Sequence, residues 1–232
     1  METPSLYRML AREFGPRHWW PVTERGEKKP SYKRRSRLSA RQKFEVCVGA
    51  ILTQNTAWKN AERAIENLLN AGILSVQGIS STPGKRLASL IKPSGYFNQK
   101  SLRIKRFAAH VRKEYAGNLE KMLSKPAAQL RQELLSLHGI GEETADSIML
   151  YAAGRPVFVV DAYTKRIAER VFGKEFRSYA ELQQFFWEGM PRSVPKYGEF
   201  HALLVELGKN FCTKKPQCGK CPINKNCCYY KE

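Results

Sequence analysis

Acidic residues are scarce in this 232-residue chain. Only 21 Asp plus Glu face 40 Lys plus Arg, for a formal net charge of +19. Such an imbalance points to a polyanionic partner, most simply nucleic acid; a basic surface serving solubility and ion pairs at high temperature is the alternative. No apolar run approaches the roughly 18 residues of a membrane-crossing helix. Residues 1–14 are polar and mixed, without the apolar stretch of a secretory signal, so a cytoplasmic, nucleoid-associated prokaryotic location is expected. Cysteine is almost missing from the first 211 residues, where Cys47 stands alone, and this excludes a dispersed disulfide framework. The other five cysteines crowd into the last 21 residues, the pattern of a metal or cluster site. The 42% hydrophobic content is enough for one sizeable core or two small lobes.

Strand signals are equally rare. The only strand-like run, 157–160, is too short to build a sheet, whereas helical periodicity recurs from Phe44 onward. The crowded apolar run 44–52 predicts a buried helix. Asn55 or Thr56 offers an N-cap for a helix with Trp58, Ala61, Ile65 and Leu68 on one face, ended by Gly72. Further helices are predicted over 101–115, 127–137, 144–153, 162–172, 180–187 and 199–207. The expected fold is therefore all-α with two helical lobes. Residues 25–42 (RGEKKPSYKRRSRLSARQ) read as a mobile basic loop, either a solvated linker or an arm that touches phosphates.

The most informative stretch is 134–170, LLSLHGIGEETADSIMLYAAGRPVFVVDAYTKRIAER. A helix ends in the turn His138-Gly139-Ile140-Gly141, and a second helix starts near Glu142. Two glycines at that spacing permit backbone shapes closed to other residues and bare amide groups at a helix start, which can grip phosphates without reading sequence. A lone Gly-Ile-Gly turn is weak evidence. It is followed, however, by Pro156, an apolar run and Asp161 at the start of another helix. Asp161 reads by itself as an N-cap.

Hairpin, proline, apolar run, aspartate and helix together resemble the signature of the helix-hairpin-helix (HhH-GPD), endonuclease III-like DNA glycosylases, and the resemblance runs from about Trp19 to Cys227. It implies a six-helix barrel-type domain at 36–154, a discontinuous domain formed by 1–35 plus 155–232, and a DNA cleft between them. It makes Asp161 the catalytic carboxylate and Gly139 and Gly141 phosphate-binding residues. Bifunctional members carry a lysine within a G-x-G-x-K-T-A motif, whose amine forms an imine with the sugar. Here the sequence is Gly141-Glu142-Glu143-Thr144-Ala145, so Glu143 occupies the lysine position and water becomes the expected nucleophile.

Trp19-Trp20-Pro21 and Trp58 read by ordinary rules as core anchors. WWP, VGAILTQNTAW, KPSGYFNQK, GIGEETADSIMLYA and VVDAY nevertheless resemble the bacterial 3-methyladenine DNA glycosylase III branch. That likeness implies that Trp19, Trp20, Pro21 and Trp58 line a base pocket, with Lys209 close to it; a surface charge or phosphate contact is the plainer reading of Lys209. A 3- or 7-methylated purine is cationic and stacks well on electron-rich rings. The resemblance also makes Gln54 the plug that fills the hole left by a flipped nucleotide and Tyr96 the wedge against the opposite strand. A helix cap and a surface aromatic are their plainer readings.

Cys212, Cys218, Cys221 and Cys227 are spaced C-x5-C-x2-C-x5-C. By spacing alone, four-cysteine zinc and an iron–sulfur cluster compete; the resemblance implies a 4Fe-4S cluster, with Cys228 spare and Cys47 structural. The expectation is a monomeric, monofunctional DNA glycosylase of base excision repair that flips alkylated purines of the 3-methyladenine type out of double-stranded DNA, without a membrane. The alternatives are an endonuclease III-type glycosylase/AP lyase for oxidised pyrimidines and a mismatch-type glycosylase.

Overall fold

The computed structural model describes residues 1–230. Its regular structure is helical: α1 (Thr3–Phe14), α2 (Ala40–Leu52), α3 (Trp58–Asn70), α4 (Val76–Ser81), α5 (Gly84–Leu90), α6 (Phe97–Tyr115), α7 (Leu119–Leu123), α8 (Ala127–Ser136), α9 (Glu142–Ser147), α10 (Ala162–Phe172), α11 (Tyr179–Gly189) and α12 (Val194–Asn210). Among the described residues the β-structure amounts to one isolated bridge, Val22 to Ser31. The chain divides into two compact units, a central one of residues 20–155 and a second one that joins 1–19 to 156–232.

The central unit is organised around α2. A capping box between Ser39 and Gln42 starts this helix, and every residue from Phe44 to Leu52 is buried. Such an all-round apolar helix is stable only when surrounded, and α3, α6, α7, α9 and the π-turn Ile148–Ala152 pack on it. Trp58, Ala61, Ile65 and Leu68 form the buried face of α3, together with Ala64. The N-cap of α3 is Ala57, with no capping side chain, so neither Asn55 nor Thr56 fills that role. Residues 20–39 belong to this unit because Thr23 donates twice to the buried Glu45 carboxylate, at 2.8 Å from both its amide and its hydroxyl. Arg35, 12% exposed, braces the basic loop through the Glu24 carboxylate and the Val22, Ser31 and Lys33 carbonyls. Arg25, Lys28, Lys29, Lys33, Arg34 and Arg37 stay exposed around that brace.

The second unit packs α1, α10, α11 and α12 around an aromatic core. Phe158 stacks on Phe186 at 4.1 Å between ring centres, and Tyr197 and Phe200 meet it edge-on at 5.3 and 5.7 Å. The 157–160 run is buried and forms no strand. Side chains of α11 take over backbone pairing there: Gln183 donates to the Phe158 carbonyl, and the Val160 amide donates to the Tyr179 hydroxyl. The run therefore acts as a rail that delivers Asp161 to the start of α10.

Candidate active site and DNA-opening elements

In the second unit Asp161 is the N-cap of α10. Its Oδ1 accepts the Thr164 amide at 2.7 Å, while Oδ2 lies 3.5 Å from His201 Nε2 on α12. Both side chains are nearly buried, at 13% and 8% exposure. Burial pushes the Asp161 carboxyl up, but His201 and the Thr164 amide outweigh it and hold the group below its ordinary value of 3.8. One carboxylate oxygen thus caps a helix while the other faces an imidazole. The capping role read from the residue alone is present, and it leaves Oδ2 for other work. His201 escaped the sequence reading because nothing in the periodicity of α12 says which turn meets Asp161.

The same unit holds the cysteine loop. Cys212, Cys218, Cys221 and Cys227 all line one cavity beneath α10 and α12, with Leu207, Phe211 and Ile223. Helix α10 grips the loop: Arg166 donates to the Cys212 carbonyl at 2.8 Å, and Arg170 to the Thr213 carbonyl at 2.7 Å and the Cys212 sulfur at 3.4 Å. Among the described residues no three His, Cys, Asp or Glu side chains are placed to hold a single metal ion. The four cysteines share one cavity, a donor set that suits either four-cysteine zinc or an iron–sulfur cluster. Burial pushes the Cys221 and Cys227 thiols up, and the neighbouring cysteines add to it. Cys228 is exposed, and Cys47 is buried in α2 with its thiol raised by that burial. Lys209 is exposed on the last turn of α12, and Trp19 is half-buried in this unit.

In the central unit the hairpin joins α8 to α9, and Ile140 plugs its turn into the core at 5% exposure. Gly139 has a φ of +86°, and a Cβ there would overlap the Arg103 side chain, so both conformation and space demand glycine. Gly141 caps α9. Glu142 is exposed and paired with Arg131 at 3.4 Å; Glu143, also exposed, follows it in the first turn. Gln54 reaches this hairpin directly: Nε2 donates to the Gly139 carbonyl and the Thr144 hydroxyl, both at 2.9 Å, and Oε1 accepts from Arg103 at 2.5 Å. Arg103 therefore links the Gln54 loop to the turn. Tyr96 is 67% exposed.

Trp20 and Trp58 meet edge to face at 5.5 Å, and Tyr151 joins Trp20 at 5.4 Å. Gly49 lies against the Trp20 ring, where a Cβ would come within 3.0 Å. Trp20 and Trp58 are only 8% and 7% exposed, and Pro21 is buried beside them. The ring faces are thus largely covered by protein. The structure brings Trp20, Pro21 and Trp58 into one unit and adds Tyr151, which the sequence reading missed.

Residues 48–192 match the family described as HhH-GPD superfamily base excision DNA repair protein, and the chain belongs to that family. It is 42% identical over 226 residues to the putative DNA repair glycosylase of Methanocaldococcus jannaschii, covering 96% of this chain and 94% of the relative. It is 30% identical over 159 residues to the thymine/uracil-DNA glycosylase of Methanothermobacter thermautotrophicus, covering 67% and 68%. Among solved structures it is similar to the Helicobacter pylori 3-methyladenine DNA glycosylase bound to 1,N6-ethenoadenine, with a TM-score of 0.72, 27% identity, and coverage of 90% of this chain and 98% of that one. The chain is a DNA glycosylase of base excision repair: it acts on damaged DNA and hydrolyses N-glycosidic bonds. No helix among the described residues is long and apolar enough to cross a membrane.

Proposed function

We propose that the protein is a monofunctional glycosylase that removes alkylated purines of the 3-methyladenine type, with water as nucleophile and Asp161 as the catalytic carboxylate. The observation that carries the monofunctional reading is Glu143, an acid at the place of the imine-forming lysine. As the C1′–N bond breaks, its electron pair leaves with the base and positive charge develops on the sugar. The Asp161 carboxylate, held ionised by His201 and the Thr164 amide, stabilises that charge and accepts the proton of the attacking water. A methylated purine already carries positive charge, so the base departs with little acid assistance.

The aromatic group Trp20, Trp58 and Tyr151 supports the purine reading because a cationic ring stacks favourably on such faces. The likeness to the Helicobacter enzyme supports it too. The low exposure of Trp20 and Trp58 requires side-chain movement before a base can enter. The competing mismatch reading draws on the thymine/uracil-acting relative. Gly139 and Gly141 hold phosphates, Gln54 fills the vacated stack and Tyr96 wedges the opposite strand. Cys212, Cys218, Cys221 and Cys227 would hold a 4Fe-4S cluster, which would staple the basic loop carrying Lys214, Lys215, Lys220 and Lys225 to α10.

The test is a panel of duplexes, each with one lesion, assayed for base release with and without alkaline work-up and with borohydride. Release of 3-methyladenine or a related alkylpurine, strand breaks only after alkali, and no trapped adduct are expected. Preferential release of thymine from mismatches, or a borohydride-stable adduct, overturns the reading.

A further inference from the structure

Lys100, in the first turns of α6, is a buried lysine. It is 1% exposed, and its ammonium is satisfied by neutral oxygens rather than by a carboxylate. An ammonium has three N–H donors, and each finds an oxygen at 2.7 Å: the Leu52 carbonyl, the Thr56 hydroxyl and the Ser94 carbonyl. Two of those acceptors flank Gln54, one on each side, and the third lies two residues before Tyr96. Thr56 closes the triangle by donating its own hydroxyl to the Ser94 carbonyl at 2.5 Å. The Lys100 amide, in turn, donates to the Tyr96 carbonyl at 3.0 Å as the first bond of α6.

Both segments need such a restraint. Asn55 and Tyr96 are non-glycine residues in left-handed conformations, with φ of 49° and 44°. Backbone of that kind is strained for a residue with a side chain and persists only where its surroundings over-determine it. We propose that Lys100 is a positioning residue for DNA opening, one buried ammonium that locks the Gln54 loop and the Tyr96 turn into a single rigid element. The proposal rests on the plug and wedge roles given above and supplies what they lack, a reason for two separate loops to enter DNA together. Prising a base from the stack takes work, and an element that yields under that load delivers less of it. Lys100 does not serve as the missing imine-forming lysine: burial pulls its amine down to about 8, but all its N–H groups are engaged and it has no surface for a sugar to reach.

The experiment compares Lys100→Met with the unchanged protein on one lesion in two contexts, fully paired duplex and an unpaired bubble where opening is nearly complete beforehand. Single-turnover base release from the paired duplex is expected to fall roughly tenfold or more, with release from the bubble largely retained. Equal losses in both contexts, or no loss in either, overturn the proposal. Thr56→Val, which removes one acceptor and the link between the loops, gives the same pattern more weakly and serves if Lys100→Met does not fold. Fluorescence of 2-aminopurine beside the lesion reads opening without chemistry. If the unchanged protein releases no base at all, the substrate assignment fails, and a weaker fluorescence rise in Lys100→Met still supports the locking role while an equal rise refutes it.

Discussion

Asp161→Asn separates the observed cap from the proposed catalytic role of one side chain. Oδ1 caps α10 through the Thr164 amide at 2.7 Å, and asparagine caps helices about as well as aspartate. The substitution therefore leaves the cap in place and costs at most a few tenths of a kcal/mol through it, whereas Asp161→Ala loses about 0.5–2 kcal/mol. The charge is another matter. Oδ2 faces His201 at 3.5 Å, and the nearly buried site limits screening by water. Loss of one preorganised electrostatic partner of a transition state slows enzymes by about 10²–10³, or roughly 2.7–4 kcal/mol of barrier. Single-turnover base release should thus fall by about that factor in Asp161→Asn, while its thermal midpoint stays near that of the unchanged protein and above that of Asp161→Ala. Release within a few-fold of the unchanged protein would refute the catalytic reading. So would a loss that tracks the fall in thermal midpoint across the two variants.

Because the folded carboxyl of Asp161 titrates below its unfolded value, its contribution to stability is complete above the unfolded value and is lost as pH falls through the folded one. The acid limb of base release should accordingly lie below the ordinary carboxylate range and move upward in His201→Gln, read from a pH–rate profile. Gly139→Ala must adopt a left-handed conformation at about 1–2 kcal/mol and displace Arg103, so the melting temperature should drop by roughly 2–8 °C; an unchanged melt would contradict the close approach. Reversing Lys28, Lys29 and Lys33 to Glu should flatten the dependence of log affinity for undamaged duplex on log salt, by about 0.9 for each phosphate no longer neutralised. An unchanged slope marks these exposed lysines as solvated only. Iron and acid-labile sulfide analysis of protein purified without air should give four of each per chain, and Cys218→Ser should lower both; stoichiometric zinc would reject the cluster.

Much of the hairpin is legible in the sequence itself. Glycine at 139 and 141, an apolar plug at 140 and an acid where lysine is diagnostic are local signals, and local backbone chemistry expresses them directly. Asp161 is legible for the same reason, since a proline, a buried run and a cap lie consecutively. Four short or terminal helices, α1, α4, α5 and α7, escape a sequence reading because three of them span only five to seven residues, too few to display a period, and residues 1–14 read as merely polar and mixed. The partners of the site are harder still. His201, Arg103 and Tyr151 approach their neighbours from 40, 49 and 131 residues away along the chain, and Lys100 looks like any solvent-facing lysine until its three acceptors are known. The pocket aromatics follow from resemblance, which says nothing of the degree to which neighbouring atoms cover their faces.

Asp161 begins α10, and the arginines that hold the cysteine loop sit one and two turns farther along the same helix, Arg166 and Arg170. An eleven-residue helix is a strut of about 16 Å, stiff over that length. Contacts that steady the far end of the strut therefore also steady the carboxylate at its near end, so the cysteine loop and Asp161 share one rigid support.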